Sequence, residues 1–173
     1  EDLTSHKMGV GSIYNFLNRH YEKLENFEDS LKQSLPKEDV LHSDETGVNI
    51  RSKLHWIHVA SSSVMTYYML HEKRGTIAMD AMNIIPSYEG ILVHDHWRPY
   101  NRYTNCTHSY CNAHILRELN GITQKEQVVW SQDMHTLLIN MNNAVHKAND
   151  SGKTTLSQAQ INKFIKKYEK IIK

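Results

Sequence analysis

The sequence predicts an α/β fold: a mixed sheet flanked by helices, with a helical segment before it and a helical extension after it. Three observations predict this. Apolar residues between 8 and 34 recur at three- and four-residue steps, the mark of an amphipathic helix. Between 39 and 71 the chain changes to β-branched and aromatic runs separated by short polar turns. Beyond 76, short helical and strand-like stretches alternate, and from 124 the helical period returns and persists.

The first helix carries Ile13, Phe16, Leu17, Tyr21, Leu24, Phe27 and Leu31 on its apolar side. Ser12 is placed to cap it and Pro36 ends it. Val40-Leu41-His42 then leads into Asp44. The runs His55–Ala60 and Val64–Leu70 read as strands, with Ser61-Ser62-Ser63 as the turn between them. Antiparallel succession is the simplest arrangement of these three. Residues 76–85 form a short helix with Ile77, Met79, Met82 and Ile85 as its apolar positions. Pro86 and Gly90 bracket the return to Ile91-Leu92-Val93, wholly apolar as expected of a strand buried on both faces. A further strand near 107–110 precedes a helix from about Cys111 to Leu119.

Residues 124–148 form a longer helix, broken by Asn149-Asp150-Ser151-Gly152. The last helix, 155–172, keeps Ile161, Phe164, Ile165, Tyr168 and Ile172 on one side and most of its lysines elsewhere. The division this suggests is a helical segment over 1–38, a core over 39–120 and a helical extension over 121–173.

The length of 173 residues suits one domain with a helical appendage. No apolar run is long enough to cross a bilayer, and the first residues lack the basic and apolar regions of a signal peptide. The chain opens without Met and stops on Lys-rich sequence, which reads as a piece of a longer protein. Two cysteines, Cys106 and Cys111, could close a small disulfide loop but make no disulfide framework. A reducing cytosol is the default for such usage. Charge is uneven. Residues 1–50 carry five Lys/Arg against ten Asp/Glu, and residues 51–173 carry fifteen against nine. The basic later part favours a polyanionic partner, although ordinary surface lysine would read the same way.

Two acids carry the chemical argument. Asp44 follows a strand-like run and opens Asp44-Glu45-Thr46-Gly47; Asp95 follows Ile91-Leu92-Val93 and opens a polar, aromatic and basic loop. Carboxylates from adjacent strands that meet in space suit magnesium or manganese. A pair of such ions can clamp the attacking and leaving oxygens of a phosphoryl transfer. The alternative for Asp44 is turn chemistry. The alternative for Asp95 is a zinc hydrolase using His94 and His96. Successive strand residues face opposite ways, so the two histidines and Asp95 do not easily converge. Cys111 and His114 have metal-ligand spacing on a helix, and Cys106 with His108 could complete a zinc site. A packing role for Cys111 and His114 is preferred to zinc. Arg74 and Arg98 could hold phosphates, since guanidinium suits bidentate contact. Arg74 could equally serve a turn, and Arg98 a carboxylate.

The order of elements resembles the ribonuclease-H-like fold. Asp44-Glu45-Thr46-Gly47, Trp56, Arg74-Gly75, the run Tyr88 to Asp95, Tyr100, His108, Cys111, Ala113-His114 and Arg117 resemble, as an ordered set, the bacterial DDE transposases of the insertion-sequence-sixty-six class. The resemblance runs from about residue 4 to 120. It implies metal-dependent cleavage and transfer of DNA strands at transposon ends. Asp44 and Asp95 match the first and second catalytic, metal-binding acids. Cys111 and His114 match a Cys-x-x-His element that organises the site or handles DNA, and Arg74, Arg98 and Arg117 become possible DNA contacts. Where the family usually has Gly after the second acid, this chain has His96. The family's third acid, a Glu in an Asn- and Arg-rich segment, has no match here; Glu118 is not where the family places it. The third carboxylate is therefore expected outside this chain, and the fragment is expected to be catalytically poor. The partners implied are transposon-end and target DNA and further copies of the protein, with no membrane. The location implied is the bacterial cytoplasm at the nucleoid. Two rivals remain: a non-catalytic DNA-binding or assembly module derived from a transposase, and a ribonuclease-H-like nuclease without strand transfer.

Overall fold

The computed structural model of the chain describes residues 7–173. They include a five-stranded sheet in the order β3-β2-β1-β4-β5. Strand β1 (Val40–Ile50) turns tightly into β2 (Lys53–Ser61) through Arg51 and Ser52, both at positive φ, 49° and 62°. Two left-handed residues in a two-residue loop match the twist of the flanking strands. Strand β3 (Thr66–His71) follows a loop closed by the Ser62 N–H on Met65 O at 2.8 Å, with the Ser62 hydroxyl accepting from Val64 and Met65. β1 and β2 are antiparallel, as are β2 and β3, while β1 and β4 (Ile91–His94) are parallel. The sheet is therefore mixed. The edge beyond β4 is β5 (Thr107–Tyr110).

One face of this sheet holds the core. Leu41, Ser43 and Glu45 on β1, His58 and Ala60 on β2, and Leu92 and His94 on β4 are buried. The register aligns them: Glu45 faces His58, Ser43 faces Ala60 and Leu41 faces Leu92. Met79 and Met82 of α3 (Thr76–Met82) join this core, with Ile84, Ile85, Tyr88 and Leu35. Leu31 of α2 (Glu25–Ser34) packs against it. Gly90 makes the return into β4 possible. A side chain there would lie 2.7 Å from Asp39 O and run into the Tyr88 ring.

Three expectations change. The long first helix is two helices, α1 (Val10–Lys23) and α2, interrupted at Leu24, whose N–H bonds to Tyr21 O in a tight last turn. Strand β4 is not buried on both faces: Leu92 and His94 are buried but Ile91 is 43% exposed. Apolar composition alone does not count covered faces, because exposed apolar residues are common. Ser12 lies inside α1, whose N-cap position is Gly9, so it does not cap the helix; Cys106 and Cys111 are free thiols.

The remaining helices, α4 (Asn112–Glu126), α5 (Val129–Asp150) and α6 (Gln158–Ile172), have their own core of Leu119, Met134 and Leu137, with Ile115, Leu138, Phe164 and Ile171 against it. Helix α6 starts on a capping box: Ser157 Oγ accepts the Gln160 N–H and Gln160 Oε1 accepts the Ser157 N–H. The chain divides into two compact units between Ser109 and Tyr110, while residue 120 falls inside α4. Among the described residues no helix is long and apolar enough to cross a membrane.

Candidate metal centre

Alternation along β1 separates neighbouring acids. Leu41, Ser43 and Glu45 face the core, so His42, Asp44 and Thr46 face the other side. Parallel pairing of β1 with β4 joins Val40 to Ile91, Leu41 to Leu92 and His42 to Val93. Asp44 and Asp95 each follow the last paired residues, His42 and Val93, by two positions, and parallel neighbours lie about 4.8 Å apart where they pair. Asp44 is exposed and Asp95 is half-buried, just past the end of β4. The Asp95 carboxylate accepts the Trp97 N–H at 2.9 Å, an Asx turn that fixes its direction. The Asp44 carboxylate accepts the Glu45 N–H at 2.9 Å. The turn alternative for Asp44–Gly47 fails, because all four residues belong to β1 and pair with β2.

On the core side a second carboxylate is locked. The Glu45 side chain is 1% exposed. Arg74 gives its Nε and Nη2 protons to Glu45 Oε1 at 2.9 and 2.7 Å, and the Tyr100 hydroxyl donates to Oε2 at 2.7 Å. The Arg74 guanidinium stacks over Trp97 at 3.9 Å and over Trp56 at 4.7 Å. Ser43 Oγ donates to Val59 O at 3.0 Å and lies 3.2 Å from the Tyr100 hydroxyl. Burial first, and the Glu45 charge second, push the Tyr100 phenol far above the ordinary tyrosine range, so it stays a donor. Sequence reasoning assigned no role to Glu45, Trp97 or Tyr100. The available signal was an acid next to Asp44 at the position where a strand turns inward.

His94, facing the core beside Asp95, stacks on Tyr100 with ring centres 4.5 Å apart. Its Nε2 lies 2.8 Å from His108 Nδ1, and His108 Nε2 lies 2.9 Å from Tyr103 O. Burial lowers His94 from the ordinary histidine range, and it lowers His58 similarly. Cys106 donates to Tyr103 O at 3.3 Å, and burial raises its thiol. Cys106 and His108 thus organise the loop after Asp95. Cys111 is the residue before α4, and His114 stands in the first turn, its N–H bonded to Cys111 O. Among the described residues no three His, Cys, Asp or Glu side chains gather to hold a metal. Arg98 and Arg117 are exposed, the latter with Nε on its own helix at Ala113 O.

The donor set at Asp44 and Asp95 fits a hard divalent cation. Both side chains offer carboxylate oxygen, and one or two carboxylates with waters and substrate phosphates are the usual protein share of a magnesium shell. Neither Asp offers the imidazole or thiolate that zinc prefers.

A helix-flanked mixed sheet in the order β3-β2-β1-β4-β5, with β1 and β4 parallel at its centre, is ribonuclease-H-like. The chain belongs to the transposase IS66 family, whose model matches residues 5–172. No curated protein matches it. Among solved structures, the chain is similar to the HTLV-2 integrase catalytic core domain in complex with magnesium. The dimeric form is 11% identical, with 49% of this chain and 71% of that chain covered and a TM-score of 0.34. The trimeric form is 15% identical, with 66% and 91% covered, at 0.34. The simian T-cell lymphotropic virus intasome in complex with PP2A regulatory subunit B56 gamma is 10% identical, with 52% and 43% covered, at 0.33.

Proposed function

We propose that this chain is part of the catalytic region of a DDE transposase that cuts DNA at transposon ends and joins the strands to target DNA. The observation that supports it is the β1–β4 pairing, which ends at His42 and Val93, two residues before Asp44 and Asp95. In this reading the two carboxylates hold and orient a divalent cation, with Asp95 aimed by the Trp97 N–H. Bound magnesium or manganese supplies Lewis acidity at the scissile phosphate and a lowered pKa for the attacking water or terminal hydroxyl. Arg98, exposed beside Asp95, and Arg117 hold the phosphate backbone independently of sequence. Cys111 and His114 order the start of α4, a helix that handles DNA. The protein acts as an oligomer on DNA at the bacterial nucleoid. Two carboxylates hold a hard cation weakly, so a third completes the site and this chain by itself is a poor catalyst.

The test is transposon-end cleavage by the full-length protein. Asp44→Asn and Asp95→Asn are expected to abolish cutting and joining while leaving circular dichroism and melting unchanged. Wild-type cleavage by either variant sinks the assignment. One observation favours a second reading, a non-catalytic DNA-binding module: among the described residues no third ligand joins the pair. DNA binding by the full-length protein with no manganese-dependent cutting would select it.

A further inference from the structure

The metal-binding pair needs its two strands held at a fixed separation, and the β1–β4 ladder stops short of both acids. The paired residues end at His42 and Val93, two positions before Asp44 and Asp95. Past that point Asp44 is still held by β2, opposite Val59. Asp95 has left the sheet and stands on a loop. Something else must tie that loop to β1.

The tie is the buried carboxylate next door. Glu45 is one residue from Asp44, and its Oε2 accepts the hydroxyl of Tyr100, from the loop that Asp95 opens. Its Oε1 accepts two protons of Arg74, whose guanidinium covers the Trp97 ring at 3.9 Å. The Trp97 N–H in turn holds the Asp95 carboxylate. Two routes therefore run from β1 to the Asp95 loop, one through Tyr100 and one through Arg74 and Trp97. Both begin at Glu45, and Ser43 Oγ of the same strand lies 3.2 Å from the Tyr100 hydroxyl beside them. Strand alternation turns Glu45 away from the face of Asp44, so it cannot share the same ion.

We propose that Glu45, with Tyr100 and Arg74, is a positioning clamp that sets the separation of Asp44 and Asp95 from the far side of the sheet. This rests on the reading of those acids as a metal pair. Hydrogen-bonded partners behind metal ligands typically change metal affinity or activity roughly ten- to a hundredfold when removed. Tyr100→Phe deletes one oxygen and keeps the ring; Arg74→Lys keeps the charge but loses the fork and the flat stacking surface.

The experiment is manganese titration of the full chain by electron paramagnetic resonance, alongside amide hydrogen exchange. Glu45→Gln and Tyr100→Phe are expected to weaken manganese binding roughly tenfold or more with cooperative melting retained, and Arg74→Lys by less. Amides from Trp97 to Arg102 should exchange faster in all three. A folded Tyr100→Phe that binds manganese within about twofold of wild type overturns the clamp, and this variant decides the matter if Glu45→Gln does not fold. Asp44→Asn separates the two ideas. If it loses manganese while Tyr100→Phe does not, the clamp alone is wrong. If it binds like wild type, the metal pair is wrong and the clamp falls with it.

Discussion

Replacing Arg74 with methionine isolates the Glu45 lock. Methionine keeps the length and the apolar stem between Trp56 and Trp97 but removes the guanidinium. Glu45, with its side chain 1% exposed, then retains only the Tyr100 hydroxyl among the partners described above. Removing one partner of a buried ion pair costs about 3–5 kcal/mol, because the remaining charge stays desolvated. Two features reduce that here. The Arg74 side chain is 37% exposed, so water reaches its side of the pair, and the Tyr100 hydroxyl still solvates Oε2. The expected loss is about 2–3 kcal/mol, against a total of about 5–15 kcal/mol for a domain. Glu45→Gln leaves a half-exposed cation and should cost about 1 kcal/mol. The double variant should fall short of the sum by about 1–2 kcal/mol, the coupling of groups in contact. Urea unfolding, followed by the fluorescence of Trp56 and Trp97 after Trp130→Phe, measures all four corners of the cycle. A cost for Arg74→Met under about 0.5 kcal/mol, the level of an exposed pair, would refute the reasoning. So would strict additivity.

Two further outcomes are expected. Arg51→Asn with Ser52→Gly places residues suited to positive φ in the β1–β2 turn, where both native φ values are positive; the melting temperature should rise by the equivalent of about 1 kcal/mol, and a fall would contradict the turn geometry. His58 is buried with its folded pKa lowered by desolvation, so its neutral form is favoured on folding. Its contribution is intact above the unfolded value near about 6.5 and is lost as pH falls below that toward the folded value. The urea midpoint should therefore drop as pH falls below about 6.5, less steeply in His58→Gln. Equal slopes would exclude His58, although His94 shifts in the same direction and keeps some slope in the variant.

Much of the sheet was legible because β1, β2, β3 and β4 carry β-branched and aromatic runs bounded by turn residues. The position of β5 and the start of α4 were also read closely. What the sequence concealed were matters of pairing. Asp44-Glu45-Thr46-Gly47 has turn composition, yet β2 pairs with all four residues and carries the strand to Ile50. Ladder hydrogen bonds to a partner override local preference. The break at Leu24 lies within an unbroken apolar period, so periodicity could not reveal it. At the site, the acids stood out because each follows an apolar run. Glu45, Arg74 and Tyr100 are drawn from three distant places, and only the fold brings them together. Arg74 illustrates the cost of reading a cation alone: phosphate contact and a turn were its two readings, and its observed partner is a carboxylate of the same chain.

Adjacent carboxylates on β1 serve opposite sides of one strand, and this has a consequence for how the chain can fail. A slide of a single residue against its neighbours would exchange them, sinking the solvent-facing acid into the interior and stranding the inner one outside. The proposed metal site and the interior packing would be lost together, in one step. An insertion or deletion between Val40 and Ile50 is thus predicted to be silent at neither level, whereas lengthening the loop after Ser61 leaves both intact.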